Sequence, residues 1–196
     1  METRQRLILA SASPRRRDLL AGLGLEFEVV EANIEEKPMP GEGPAEFALR
    51  AACDKAAAVC RRHGSAWVLG ADTVVVYENR LLGKPADSGE ALAVLLCLAG
   101  RRHFVHTGFC LEHREKNVAV RRLVTTEVYF SPFDEAIAAA YVASGEPLDK
   151  AGAYGIQGIG GFLVEKVSGS CSNVIGLPLA EVVEELLRYK VVRPRQ

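Results

Sequence analysis

The sequence predicts an α/β fold with a mixed β-sheet, and two observations carry this prediction. In the first half of the chain, short runs of β-forming residues alternate with segments whose apolar residues recur at helical spacing. In the middle, two longer β-like runs at 104–111 and 118–130 are joined by the polar residues 112–117, which is typical of a hairpin. Alternating helices and strands combined with a hairpin favour a mixed sheet flanked by helices.

Local signals predict the first three elements. Residues 6–10 form a short apolar run that is typical of a buried strand. Ser13 has the character of an N-cap and Pro14 suits the first helical position, so we expect a helix to begin there. Gly24 is a natural stop for that helix. Residues 27–30 are rich in β-formers and predict a second strand.

A loop, a long helix and two strand segments come next. Residues 34–43 contain two prolines and two glycines and predict a loop. Pro44 can open a helix whose apolar face also carries Lys55. Strand-like runs then stand on either side of residues 70–72, so we expect the strand to be interrupted there.

Helix and strand signals continue to the C-terminus. Asp87, followed three residues later by Glu90, resembles a capping box and predicts a helix over the apolar residues 91–98. After the hairpin, the predicted elements are a helix opened by residues 131–134 that ends near Gly145, a glycine-rich segment at 152–161, a strand at 162–167 and a helix at 179–190.

Composition places the chain among ordinary globular proteins. Its 196 residues are 48% hydrophobic and 25% charged, which is enough for a core in one domain or in two small lobes that share one. The 24 basic and 25 acidic residues give a net charge of -1. Because nucleic-acid binders usually carry a basic excess, we expect no nucleic-acid partner.

Hydropathy and cysteine usage predict a cytoplasmic protein with no membrane partner. No apolar run approaches the roughly 18–20 residues that a membrane-spanning helix needs, and the run at 7–10 is shorter than the apolar region of a signal peptide. The five cysteines are odd in number and form no C-x-x-C pair. Such scattered thiols are typical of a reducing compartment.

The strongest local signal for chemistry lies at 11–16, between the first predicted strand and helix. A helix N-terminus leaves free N–H groups and a partial positive charge, and so attracts anions. Hydroxyls and guanidiniums at that point add donors that suit phosphate oxygens. A capped helix with solvated arginines is the alternative interpretation. The side chains concerned are Ser11, Ser13, Arg15 and Arg16.

Several charged residues have both a functional and an ordinary interpretation. Asp72 stands among valines and leucines, where a carboxylate needs a cation, a metal ion or solvent; a turn aspartate bonded to backbone N–H groups is the alternative. Lys55 either snorkels from its helix or reaches a phosphate site, and Lys84 lies in a turn, where lysines are usually solvated. Glu35 and Glu36 offer hard oxygen ligands for Mg²⁺ or Mn²⁺, or form a solvated pair.

Common catalytic signatures are absent from the sequence. It contains no P-loop, no Rossmann G-x-G-x-x-G, no G-x-S-x-G elbow and no H-E-x-x-H spacing. The glycines of 152–161 either let the backbone approach a ligand or form a surface loop. Together, several cations, two carboxylates and a helix N-terminus fit a metal-assisted attack on a polyphosphate.

Four long motifs follow one another along the chain: LILASASPRRRDLL at 7–20, LGADTVVV at 69–76, GKPAD at 83–87 and EPLDKAGAYGIQGIGGFLVEKVSGSCSNVIGLPL at 146–179. In these motifs the sequence resembles the Maf family of nucleoside triphosphate pyrophosphatases. The resemblance implies hydrolysis of a nucleoside triphosphate to the monophosphate and pyrophosphate, with Mg²⁺ or Mn²⁺. It also implies one domain over residues 1–196 that has two lobes, an elongated mixed sheet flanked by helices and a central cleft, as in inosine-triphosphatase-like proteins.

The resemblance also implies roles for individual residues. Asp72 matches the proposed proton acceptor that activates the attacking water. Glu36 matches a carboxylate that assists metal binding, so the metal ion would be held by Glu36 and Asp72. The other matches form two groups: Ser11, Arg15, Lys55 and Lys84 at positions associated with the triphosphate, and Arg16, Thr73 and Gln157 at positions linked to nucleobase choice.

Gln157 and the wording AYGIQG resemble the branch of the family that acts on dTTP and UTP. A glutamine amide has one acceptor and two donors, so it can pair with the imide N–H and a carbonyl of uracil or thymine. Two alternatives stay open: the same reaction on 7-methyl-GTP or another modified nucleotide, and a non-enzymatic regulator of septum formation. The presence of Asp72, Lys55 and Lys84 favours an enzyme. The expected partner is a nucleoside triphosphate, and a homodimer stays open.

Overall fold

The computed structural model describes residues 1–195 of the chain. Its helices are α1 (Pro14–Gly22), α2 (Pro44–Cys60), α3 (Ser88–Leu98), α4 (Glu135–Ala143), α5 (Cys171–Ile175) and α6 (Leu179–Arg188). Its strands are β1 (Glu2–Thr3), β2 (Leu7–Ala10), β3 (Glu28–Val29), β4 (Trp67–Tyr77), β5 (Arg80–Leu82), β6 (Arg102–His113), β7 (Val118–Phe130), β8 (Val164–Ser168) and β9 (Val192–Arg193). Short 3-10 helices cover Glu146–Asp149, Ala151–Ala153 and Ile159–Leu163.

The main sheet is mixed, which confirms the predicted α/β class. Its strand order is β3-β2-β4-β6-β7-β8, with β5 paired to β4. Strand β2 pairs in parallel with β3 and β4, whereas β4–β5 and β7–β8 are antiparallel. Strands β6 and β7 are neighbours joined by the turn at 114–117, so the predicted hairpin is confirmed. Strands β1 and β9 form a separate antiparallel pair.

The chain divides into two compact units. The first unit comprises Met1–Asp72, Thr107–Val124 and Gly176–Gln196, and the second comprises Thr73–His106 and Thr125–Ile175. The core of the first unit includes Trp67 and Phe109, and the core of the second includes Phe130 and Tyr141. The central cleft that the family resemblance implies stays a prediction.

Strand β4 alternates between two faces within the first unit. Trp67, Leu69 and Ala71 pack in one apolar cluster. Val68 packs in another, together with Ala56 and Val59 of α2. Because successive side chains of a strand point to opposite faces, position 70 and position 72 also face α2. This alternation turns Asp72 toward the long helix.

Two glycines allow α2 to lie directly on the sheet. A Cβ atom on Gly70 would lie 2.3 Å from the carbonyl oxygen of Ala52, and one on Gly108 would lie 2.5 Å from the Cα of Leu49. These distances are too short for any side chain, so both positions require glycine. The predicted interruption of the strand at 70–72 is therefore wrong: Gly70 marks a close approach of the helix, and β4 runs through without a break.

The predicted helix starts are mostly confirmed. Asp87 accepts the N–H of Glu90 at 2.8 Å, and Asp134 accepts that of Ile137 at 3.0 Å, so both are N-caps. Helix α1 begins at Pro14 as expected, but the side chain of Ser13 makes no capping hydrogen bond. The short elements β1, β5, β9 and α5 carry too few residues for a periodic signal and were not predicted.

All five cysteines have free thiols; Cys60 and Cys110 are buried, whereas Cys171 is exposed, and the reducing compartment stays a prediction. Along the described residues 1–195, no helix combines the length and apolar character needed to cross a membrane.

Candidate active site

Lys55 forms the centre of a charged cluster in the first unit. Its ammonium donates to Oδ1 of Asp72 at 2.7 Å and contacts Oε2 of Glu36 at 2.5 Å. Lys55 is 7% exposed and Asp72 is 8% exposed. Charge-assisted hydrogen bonds of this kind are short and strong, and each buried charge here has an opposite charge against it. The structure thus brings together three residues that the sequence singled out separately.

The local fold explains how Lys55 and Asp72 meet. Gly70 lies under α2 between Ala52 and Ala56, and Asp72 follows two residues later on the same face of β4. Lys55 stands next to Ala56 on the buried side of α2. The close approach that Gly70 permits therefore brings the lysine head within hydrogen-bond distance of the carboxylate. Both alternatives for these residues are resolved: Lys55 does not snorkel, and Asp72 is no turn residue.

Arg16 at the start of α1 is buried beside this cluster. It is 8% exposed, and its Nε donates to the carbonyl oxygen of Gly176 at 2.7 Å. A second guanidinium nitrogen donates to Oγ of Ser11 at 3.3 Å. Burial lowers the pKa of Arg16, and the nearby carboxylates of Asp72 and Glu36 act in the opposite direction. The two carboxylates of the cluster therefore act electrostatically on this guanidinium.

The hydroxyl of Ser11 joins the strand to the helix start. It accepts the N–H of Ser13 at 3.2 Å as well as the bond from Arg16. Ser11 is buried and Arg15 is half-buried. The alternative interpretation of this segment, a capped helix with solvated arginines, is therefore wrong for Arg16, which is buried.

Glu35 and Glu36 have different surroundings. Glu35 forms an exposed ion pair with Lys37, whereas Glu36 contacts Lys55. Their loop is tied to α2 by Arg50, which donates to the carbonyl oxygen of Lys37 at 2.8 Å and to Glu42 at 2.6 Å. Hydrogen bonds from Arg50 lower the pKa of Glu42 to about 2. The sequence did not indicate this anchor, because Glu42 and Lys37 lie eight and thirteen residues before Arg50 and no motif connects them.

Three predicted residues lie in the second unit. Thr73 is half-buried on β4, Lys84 is exposed after β5, and Gln157 is exposed in the glycine-rich segment. The turn of Lys84 touches that segment, since Gly152 donates its N–H to the carbonyl oxygen of Gly83 at 3.1 Å. The side chains of Lys84 and Gln157 make no mutual contact among the hydrogen bonds and ion pairs of residues 1–195.

Glu146 and Tyr141 organise the segment that carries Gln157. Glu146 accepts hydrogen bonds from the Tyr141 hydroxyl at 2.8 Å and from the N–H groups of Ile159 and Gly160 at 2.9 and 3.0 Å. Sequence reasoning missed both residues as functional candidates. The only signal for Glu146 was its place at the start of the fourth motif, and Tyr141 lies outside the motifs.

Comparison with known proteins decides the family. Residues 6–189 match the family described as Maf-like protein. The chain belongs to this family. Among curated Maf-like relatives, a protein of Desulfotalea psychrophila is 52% identical over 95% of each chain. One from Myxococcus xanthus is 52% identical over 96% of this chain and 94% of its own. Both relatives are named dTTP/UTP pyrophosphatase.

A solved structure with limited likeness is the Ham1 protein of Staphylococcus aureus. It is 12% identical, with a TM-score of 0.45, over 65% of this chain and 72% of that chain.

Glu36 and Asp72 are the residues of this Maf-like chain that would hold a divalent cation. Within residues 1–195 no three His, Cys, Asp or Glu side chains cluster as a complete metal site. Glu36 and Asp72, however, converge on one ammonium group, so their oxygens face a common cationic position. Mg²⁺ is usually held by one or two carboxylates together with substrate phosphates. Two carboxylates therefore suffice if a polyphosphate supplies the other ligands.

Proposed function

We propose that this protein hydrolyses dTTP and UTP to the nucleoside monophosphate and pyrophosphate. The observation that carries the proposal is the buried pair of Asp72 and Lys55, with Glu36 on the same ammonium and Arg16 beside it. Relatives about half identical over nearly the whole chain, all named dTTP/UTP pyrophosphatase, support the choice of reaction and substrate. A triphosphate brings several negative charges to one place, so an enzyme that binds it needs cations, such as Lys55 and Arg16 here, held at fixed positions.

The reaction transfers the α-phosphoryl group to water. The water oxygen forms a bond to the α-phosphorus, and the bond from that phosphorus to the oxygen bridging to the β-phosphorus breaks. The bridging oxygen leaves with the pyrophosphate. In the proposal Asp72 accepts the proton of the attacking water, since a positioned carboxylate is a suitable general base. The proton returns to solvent when the products leave.

Cations stabilise the charge that develops on the departing pyrophosphate. Lys55, Arg15 and Lys84 are the proposed phosphate ligands, and Ser11 adds a hydroxyl donor. Lys55 is already held by two carboxylates before substrate binds. When the proposed metal ion takes over these carboxylates, only the ammonium end of Lys55 has to turn to the phosphates, because its stem is fixed on the buried side of α2. A cation positioned in this way is a large source of catalysis.

A divalent cation completes the proposed site. Glu36 and Asp72 would hold Mg²⁺ or Mn²⁺, whose positive charge polarises the phosphoryl oxygens. Glu36 is the more adaptable of the two ligands, since its side chain is 41% exposed on a loop whereas that of Asp72 is 11% exposed on a strand.

Base choice is proposed for Arg16, Thr73 and Gln157. Uracil and thymine present acceptor, donor and acceptor along their pairing edge, and the Gln157 amide can match two of these groups. Arg16 is enclosed and holds the carbonyl oxygen of Gly176, so we assign its influence to the position of that turn.

A nucleotide panel tests the proposal. The protein is incubated with dTTP, UTP, CTP, ATP, GTP and 7-methyl-GTP in the presence of Mg²⁺ or Mn²⁺, and the products are separated. We expect monophosphate and pyrophosphate, with dTTP and UTP turned over fastest. Release of nucleoside diphosphate and orthophosphate would contradict the proposed reaction, and a preference for 7-methyl-GTP would contradict the proposed substrates.

Two further measurements test the remaining predictions. Native mass spectrometry of the same sample shows whether the protein is a homodimer, and cell fractionation tests the cytoplasmic location.

A further inference from the structure

Glu146 lies beneath the turn that carries Gln157. Its Oε1 accepts the Tyr141 hydroxyl at 2.8 Å and the Gly160 N–H at 3.0 Å, and its Oε2 accepts the Ile159 N–H at 2.9 Å. Ile159 and Gly160 open the 3-10 helix Ile159–Leu163, whose first N–H groups have no partner within the helix. A carboxylate is the preferred group at such a position because it carries negative charge to the helix N-terminus.

Tyr141 extends this support to the other side of Gln157. The Tyr141 hydroxyl donates to Glu146 and accepts the N–H of Gly155 at 3.1 Å. The backbone is therefore held two residues before Gln157 through the tyrosine, and two and three residues after it through the carboxylate. Because Tyr141 is 2% exposed and packs in the core of the second unit, this support rests on a fixed element.

The glycines of the turn allow the backbone to approach these two side chains. A Cβ atom on Gly160 would lie 2.3 Å from the Tyr141 hydroxyl oxygen, and one on Gly158 would lie 2.7 Å from Oε2 of Glu146. Gly158 also has φ of +107°, which other residues rarely adopt. The turn therefore fits closely over the Glu146–Tyr141 pair, and its path depends on both.

The hydrogen bonds that Glu146 accepts keep its carboxylate ionised. Burial raises the pKa of Glu146, but hydrogen bonds from Gly160, Ile159 and Tyr141 outweigh that effect and leave the pKa below its ordinary value. An ionised carboxylate has only acceptors, and this matches a site in which every neighbour is a donor.

We propose that Glu146 is a positioning residue for nucleobase selectivity, and that it acts by fixing the backbone on both sides of Gln157. This inference rests on the proposed function and adds to it a residue that does not touch the base. The Gln157 amide can meet the base edge at one place only if the backbone that carries it is fixed, since an amide on a mobile backbone can shift and turn to present donor or acceptor as required. Removing the support should therefore reduce discrimination more than turnover.

The experiment compares the ratio of kcat/KM for UTP to that for CTP in several variants. In Glu146→Ala we expect the ratio to fall roughly tenfold, mainly through a higher KM for UTP, since misplacing a recognition group weakens its contacts. Glu146→Gln keeps one carbonyl oxygen as an acceptor, so the ratio should fall less in this variant than in Glu146→Ala. Gln157→Ala should reduce the ratio by itself, and adding Glu146→Ala to it should cause little further loss, because both residues act through one contact.

Glu127→Ala is the matched control. Glu127 also lies in the second unit and accepts a tyrosine hydroxyl, that of Tyr129, at 2.6 Å, but within residues 1–195 no hydrogen bond or ion pair joins it to the turn of Gln157. Its removal should leave the UTP to CTP ratio unchanged. An equal fall in Glu127→Ala, or full additivity of the Glu146 and Gln157 losses, would show a general structural effect and overturn the proposal.

A measurement without turnover separates this inference from the proposed function. Amide hydrogen exchange of a peptide covering 155–161 should be faster in Glu146→Ala than in the wild type, and unchanged in Glu127→Ala. If the wild type releases no pyrophosphate from UTP, the proposed function fails whatever the exchange shows. If it does release pyrophosphate and Glu146→Ala keeps the wild-type ratio or exchange, the inference alone fails. Should Glu146→Ala not fold, Tyr141→Phe removes only the hydroxyl and should show the same changes to a smaller degree.

Discussion

Lys55 in the first unit and Gln157 in the second are held in opposite ways. Lys55 is buried, and its charged head is bound by Asp72 and Glu36. Gln157 is exposed, and among the described residues its side chain has no hydrogen bond, while the backbone around it is held by Glu146 and Tyr141.

The difference follows from what each side chain is proposed to recognise. A triphosphate carries the same charge in every nucleotide, so one cation suits all of them. Such a cation can be positioned by neighbouring carboxylates before the nucleotide binds. A base is recognised by a pattern of donors and acceptors, so the recognising amide must keep its own groups available. Rigidity then has to come from the backbone. The predictions below test this division, beginning with the largest expected effect.

Asp72→Asn should reduce kcat about 10²- to 10⁴-fold for UTP and CTP alike, because it removes the proposed base and keeps the shape of the side chain. Steady-state kinetics with product analysis measures the loss. Asp134→Asn is the control: Asp134 is an N-cap in the second unit, and asparagine caps a helix about as well, so turnover should be preserved. Near-normal turnover by a folded Asp72→Asn protein would exclude Asp72 as the proton acceptor.

Lys55→Ala should lower the free energy of unfolding by about 3 kcal/mol, because it leaves a buried carboxylate without its partner. Lys84→Ala should change that free energy by less than about 0.5 kcal/mol, since Lys84 is exposed. Urea denaturation gives both values. Both variants should reduce kcat/KM for every nucleotide by a similar factor. A change in base preference in either variant would contradict the assignment of these lysines to phosphate.

The second unit should lose stability in acid through His103. Burial lowers the pKa of His103 to about 4, and its Nε2 is bound to the hydroxyl of Tyr154 at 2.9 Å. The contribution of neutral His103 to the free energy of unfolding is complete above pH 6.5, where the histidine is neutral in both the folded and the unfolded state. As the pH falls from about 6.5 to about 4, the unfolded chain binds a proton that the folded chain does not, so the free energy of unfolding decreases by up to about 3 kcal/mol.

His103→Gln tests this pH dependence, because glutamine can still bond to Tyr154 and does not titrate. The difference in unfolding free energy between the wild type and this variant should shrink or change sign as the pH falls through that range. A difference that is constant from pH 7 to pH 4 would show that His103 is charged or exposed in the folded protein.

The smallest expected effect is at Gln157. Gln157→Glu removes the amide donor and adds charge, so kcat/KM for UTP relative to CTP should fall roughly tenfold while unfolding is unchanged. Gln157→Ala should lower the same ratio. If both variants keep the wild-type ratio, Gln157 is a surface loop residue and the contrast with Lys55 has no bearing on base choice.

The sequence predicted much of the fold because several signals are local. Asp87 and Asp134 mark helix starts through hydrogen bonds within one turn, and Pro14 marks one because its fixed φ suits the first helical position. The short polar connection at 112–117 indicated the hairpin. The error at residues 70–72 had a different origin. A glycine in a strand is read as a break when the helix that packs against it is not visible in the local sequence.

The sequence alone therefore determined the family, the mixed α/β class and the residue types available for phosphate chemistry, since each of these is carried by local pattern and composition. The tertiary structure decided which of the charged residues meet. Lys55, Asp72 and Glu36 are separated along the chain. Lys55 and Asp72 come together because α2 lies directly on Gly70, and Glu36 joins them from the loop that Arg50 ties to α2. It also decided that Glu146 supports the turn of Gln157, because hydrogen bonds to backbone N–H groups leave no signature in the residues that donate them.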